Sequence, residues 1–148
     1  MNRLFILFAL CFFVTACNSV YVKPGTMETG SIVYAKSNGY SMKRSIKENL
    51  SNRGYDVRVG KLRKTYGDDT DKESLELPTN VKYVVRVTER EEIFMPWCIF
   101  NGFWWWNFNV SIADQKNGQE ILSWRGRGCQ NSSLRKLDDI LDKLEGKE

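Results

Sequence analysis

Two rhythms of apolar and polar positions alternate along this chain, and the switches between them mark its elements. Ser31-Ile32-Val33-Tyr34-Ala35 is a short apolar, β-prone run and the first candidate strand. After the break at Asn38-Gly39 the period lengthens. Met42, Ile46 and Leu50 recur every four residues, while Lys43, Arg44, Lys47 and Glu48 take the other side. That spacing predicts a helix from a Ser41 cap to Asn52, stopped by Arg53-Gly54. Tyr55, Val57 and Val59 alternate with Asp56 and Arg58, and Val81, Tyr83, Val85 and Val87 alternate with Lys82, Arg86 and Thr88, giving two half-buried strands. Residues 61–80 between them are polar, with Gly67, Pro78 and the acidic cluster Asp68, Asp69, Asp71 and Glu73. They read as a solvated loop, because the cluster lacks the ligand alternation, central glycine and terminal glutamate of a calcium loop.

Eight aromatics crowd the stretch from Phe94 to Phe108. Period-two counting puts Trp104, Trp106, Phe108, Val110 and Ile112 on a core face, with Trp105, Asn107, Asn109, Ser111 and Ala113 on the other. The following turn fixes the register. A two-residue loop at Asn117-Gly118 would set Ile112 against Ser123, mixing core and solvent faces. A three-residue loop, Lys116-Asn117-Gly118 with a glycine bulge, sets Ile112 opposite Leu122, Val110 opposite Trp124 and Cys129 opposite Trp105. Ser132 or Ser133 then caps a helix whose stripe is Leu134, Leu137, Ile140, Leu141 and Leu144. The expected fold is α+β, in the order strand, helix, strand, strand, strand, helix. Two helices lie on one face of a four- or five-stranded mixed sheet, since the strands alternate rather than being apolar throughout.

Composition narrows the chemistry. The chain has 148 residues and no histidine, with 22 Lys+Arg against 18 Asp+Glu and a net charge of +4. Its length is that of one domain. Without histidine, the usual triads, zincin motifs and mixed Cys/His zinc sites are excluded. Charges of both signs are interspersed, so no phosphate-binding face is implied and no nucleic-acid partner is expected. Neither a Gly-rich phosphate loop nor a nucleophile elbow occurs. No catalytic residue, cofactor or metal ligand is therefore assigned.

The beginning of the chain is more specific. Met1-Asn2-Arg3 precedes an eleven-residue apolar run, Leu4 to Val14, about half the length of a membrane-crossing helix. Val14-Thr15-Ala16-Cys17 follows, and polar Asn18-Ser19 come directly after. This leader resembles the signal and lipobox of bacterial lipoproteins. The resemblance implies cleavage before Cys17, diacylglycerol on its sulfur and a further acyl chain on the new amino terminus, an anchor that is effectively permanent. Asn18, not aspartate, after the cysteine implies the outer membrane by the enteric sorting rule. Residues 1–16 are thus expected to be a cleaved signal, 17–30 a lipidated tether and 31–148 a single periplasmic domain. Export to an oxidising compartment leaves Cys98 and Cys129 to pair, closing a loop of about thirty residues worth about 3–4 kcal/mol. The order of elements also resembles small periplasmic lipoprotein domains of the LptE, LpoB and TolB or CsgG amino-terminal type, a likeness of architecture that does not transmit function.

Trp97, Phe100, Phe103 and Trp105 sit in or beside the loop that the disulfide would close, outside the regular core pattern. They form either an exposed patch for a partner or a satellite core over the sheet's end. Arg125 and Arg127 face away from Trp124 and could meet an acidic partner or a lipid headgroup. The expectation is a non-enzymatic outer-membrane lipoprotein binding another envelope protein through the aromatic loop. The alternative is a membrane-surface factor whose loop inserts into the bilayer interface.

Overall fold

The computed structural model describes residues 18–36, 41–60, 62–65, 72–75 and 80–147. The expected signal, Cys17 and the acidic residues Asp68, Asp69 and Asp71 lie outside the described residues. Among the described residues, eight strands and two α-helices follow in chain order: β1 (Ser19–Val22), β2 (Ile32–Lys36), α1 (Met42–Asn52), β3 (Asp56–Gly60), β4 (Leu62–Thr65), β5 (Lys72–Leu75), β6 (Tyr83–Phe94), β7 (Trp104–Asp114), β8 (Glu120–Cys129) and α2 (Gln130–Glu145). The fold is α+β, with both helices on one face of a mixed sheet. That sheet has six strands rather than four or five, in the order β1-β8-β7-β6-β2-β3. β2 runs parallel to both β3 and β6, and the remaining pairs are antiparallel.

Two segments differ from expectation. Residues 18–30 are no slack tether. Val20 and Val22 pair with Trp124 and Leu122, so β1 adds an edge strand. The chain then straps across the far end of α2, where Gly25 N donates to Lys143 O (3.1 Å), Met27 N donates to Leu144 O (3.1 Å) and the Met27 side chain is buried. Four residues before Pro24-Gly25 carry too short a pattern to reveal a strand whose partner lies a hundred residues away. Within the polar stretch 61–80, β4 and β5 pair antiparallel as a separate two-stranded sheet, Leu62 opposite Leu75.

The expected β7–β8 register is present: Ile112 faces Leu122, Val110 faces Trp124 and Trp105 faces Cys129. The bulge is elsewhere. Asp114 N donates to Gln119 O (2.9 Å), enclosing residues 115–118 with Gly118 at φ 69°, and the irregularity falls between Ile112 and Ala113. Ala113 pairs with Glu120 and Ile112 with Leu122, so Ile121 is the extra residue and both Ile121 and Leu122 are buried. One core joins Val33, Val85, Phe108, Val110 and Trp124 of the sheet to Met42, Ile46 and Leu50 of α1 and Leu137, Ile140, Leu141 and Leu144 of α2. Gly126 is required at its centre: a Cβ there would lie 2.5 Å from the Phe108 ring, which packs edge-on against Trp124 (centroids 4.6 Å apart).

The helices are capped by means the sequence hides. Ser41, at φ 64°, makes no side-chain cap; instead Glu89 of β6 accepts from Lys43 N (2.9 Å) at the start of α1. α2 begins at Gln130 rather than after Ser132 or Ser133, with Cys129 as its N-cap residue. The C-terminal ends of both helices meet in a charged cluster. Arg53 donates to Asp142 (2.6 Å) and to Glu145 (2.9 Å), whose side chain is 1% exposed. Burial opposes the Glu145 carboxylate, yet the Lys147 ammonium, the nearby Tyr55 hydroxyl and the Arg53 guanidinium outweigh it and hold its pKa below the ordinary value. Burial, followed by the Glu145 charge, pushes the Tyr55 hydroxyl above its usual range.

Candidate functional site

The connection from β6 to β7 lies at the opposite end of the sheet from that charged cluster. No charged side chain occurs between Glu92 and Asp114. Pro96 starts a 3-10 turn, Pro96–Asn101, which backbone bonds close at each step: Cys98 N to Met95 O (2.9 Å), Phe103 N to Cys98 O (2.8 Å) and Met95 N to Phe103 O (3.1 Å). Cys98 is fully buried and bonded to Cys129, the Cα atoms 5.5 Å apart, as the export argument expected. Asn101 Nδ2 donates to Ser132 Oγ (2.9 Å), a second tie to α2. Gly102 is left-handed (φ 95°), and a Cβ there would sit 2.8 Å from Gln130 Cβ, so only glycine lets the loop lie against the helix start.

This frame turns the aromatics outward. Phe100 is 100% exposed, Trp97 68%, Phe94 55%, Phe103 51% and Trp104 42%, with Ile99 beside them. The satellite-core reading of Trp97, Phe100 and Phe103 is thereby set aside. Trp104, expected in the core, is out beyond the cover of the helices, edge-on to Phe94 (centroids 6.4 Å apart). The alternation was right, but the core stops at Trp106 because α2 starts level with it. Trp105 is half-buried on the open sheet face, between Ile93 and Cys129. Phe103 adopts φ 67°, a left-handed conformation costly for a bulky residue and of order 1–3 kcal/mol. Such a conformation persists only where the surrounding structure over-determines the backbone, as the disulfide and the turn bonds do here.

Arg125 and Arg127 are exposed on the face away from the helices, opposite Asn109 and Asn107. The sequence drew attention to Asn18 only for its place after Cys17, yet its Oδ1 accepts from Arg127 N (2.9 Å), two residues from the disulfide. Asn18 therefore lies at the aromatic end of the sheet. Elsewhere, a small crevice of about 30 Å³ lies between Ser41 and Met42 of the α1 start, Glu89 and Glu92 of β6, and Trp106 and Phe108 of β7.

No protein-family model and no curated protein matches the chain. Solved structures do. A PelC dodecamer from Paraburkholderia phytofirmans is similar at 13% identity, with TM-score 0.53 over 89% of this chain and 99% of that one. A point variant of the same PelC, also a dodecamer, gives 14% identity and TM-score 0.52 over 89% and 98%. At such identity the shared property is the fold.

Proposed function

We propose that this chain is a non-enzymatic lipoprotein of the outer membrane, anchored through Cys17, whose domain stands on the bilayer with its aromatic loop in the interface. One observation carries the reading: Asn18 is hydrogen-bonded to Arg127 at the same sheet end as the disulfide and the exposed aromatics. An acylated Cys17 is one residue away, within about 4 Å of Asn18 along the backbone. Anchor and loop then address one surface. Trp at the headgroup level is favoured, and the charge-free stretch from Ile93 to Ala113 brings no ion to desolvate. A rigid loop also loses little conformational entropy on insertion.

The experiment uses the whole chain with Cys17→Ser behind a cleavable, non-lipoprotein signal, so that no acyl chain masks the loop. Sedimentation with phosphatidylcholine vesicles should capture it, and Trp97→Ala with Phe100→Ala should abolish capture. Absence of binding, or binding indifferent to both substitutions, sinks the interfacial reading.

The envelope partner expected from sequence is best sought among copies of this chain. The similar PelC structures are dodecamers, and among the described residues no strand pairs with the outer edge of β1 or β3. Light scattering on the detergent-solubilised lipoprotein tests it: a monomer at all concentrations removes that reading.

A further inference from the structure

Besides Arg58, which is paired with Asp56 (3.0 Å), the sheet face turned away from the helices carries three exposed arginines, Arg86, Arg125 and Arg127. The register sets their heights. Trp105 pairs with Cys129, Asn107 with Arg127 and Asn109 with Arg125, while Arg86 pairs with Ser111. At about 3.4 Å per residue, Arg127 stands about 7 Å behind the Trp105 row, Arg125 about 14 Å and Arg86 about 20 Å. Among the described residues none of the three is ion-paired. Glu91, level with Arg127, is two strands away across Asn107, about 10 Å between the backbones, and makes no ion pair with it among the described residues.

Those heights match a bilayer surface. The headgroup layer of one leaflet is about 5–8 Å deep. With the Trp105 row at the edge of the acyl chains, Arg127 falls among the phosphates, and the flexible stem of Arg125 can snorkel down to them. Arg86 is out of reach. We propose that Arg127 and Arg125 form an anionic-lipid site that grips headgroup phosphate beside the anchored amino terminus. This rests on the interfacial reading above and adds to it a lipid chemistry. Guanidinium groups suit phosphate because their paired N–H donors meet two oxygens at once. The Asn18–Arg127 bond keeps the site next to the point where the chain leaves the sheet.

The test again uses the Cys17→Ser chain, with vesicles of phosphatidylcholine alone and of phosphatidylcholine with an equal part of phosphatidylglycerol. The anionic vesicles should bind more tightly and lose that advantage at high salt. Arg127→Gln and Arg125→Gln should each weaken binding to the anionic vesicles about fivefold, leave binding to phosphatidylcholine unchanged, and Arg86→Gln should change neither. Equal binding to both vesicle types overturns the headgroup site and leaves the interfacial reading standing. A loss for Arg86→Gln as large as for Arg127→Gln also overturns it, since an extended polyanion lying across the face would then be the ligand. Failure to bind either vesicle type removes both readings together.

Discussion

β7 and β8 connect two ends of the sheet that solve the same problem, how to terminate strands, with opposite chemistry. At the end near residues 114–119, backbone groups are satisfied by polar side chains open to water. Asp114 Oδ1 accepts from Lys116 N (2.8 Å), Asn117 Oδ1 accepts from Gln119 N (2.8 Å), and Lys23 Nζ donates to Gln119 (3.1 Å). The Arg53–Glu145 cluster closes the helices on that side. At the other end, a charge-free turn is closed by a disulfide and displays Trp97, Phe100 and Phe103 to the surroundings. Joining two strands demands no such display; the polar end shows how little is needed. Among the described residues the largest run of exposed apolar side chains lies at the aromatic end, and the interfacial proposal rests on that asymmetry.

Removing the covalent tie should break this comparison most. The bond spans a separation of 31 residues, so Cys98→Ser with Cys129→Ser should cost about 3–4 kcal/mol, read as a lower urea midpoint with little change in slope. Protease cutting should appear first between residues 95 and 103, because the strained Phe103 conformation loses its restraint. A loss under about 1 kcal/mol would mean that the turn bonds alone hold the loop.

The polar end should fail differently, through charge. Arg53→Ala leaves the Glu145 carboxylate, 1% exposed, without its main partner on α1, at a cost of about 2 kcal/mol. Because Glu145 titrates lower in the folded chain than the ordinary 4.5, its contribution is complete above that pH and is lost as pH falls through the folded value. Melting temperature should therefore drop in acid, and Glu145→Gln should flatten the drop. The aromatic turn, holding no titratable group, should keep its protease resistance over the same range at temperatures where the domain stays folded.

How much of each end was legible in the sequence follows from range. The β7–β8 register could be read because only one pairing sets Val110 and Ile112 against Trp124 and Leu122. The bulge position could not, since a bulge in the turn or at Ile121 leaves the same upstream pairing. The disulfide followed from counting cysteines under the expectation of export. β1 was hidden because its pattern is four residues long and its partner distant, and with it went the direction in which the amino terminus leaves the sheet. Period-two counting is silent on a 3-10 turn, so whether Trp97 and Phe100 faced water or the core needed the geometry of Cys98, Gly102 and Gln130.

The smallest effect separates display from packing. Phe100 is fully exposed and Trp97 mostly so; a side chain already in water in the folded state gives up almost no burial when truncated. Phe100→Ala and Trp97→Ala should each leave stability within about 0.5 kcal/mol of the parent in urea denaturation. Phe108→Ala, at the other pole of burial, should cost about 3–5 kcal/mol. Residues that contribute nothing measurable to folding yet keep large apolar surface in view have to be explained by what they meet outside the molecule. A loss of 2 kcal/mol or more at Phe100 would show instead that the ring packs against the domain in solution, and the contrast between the two ends would then be one of packing alone.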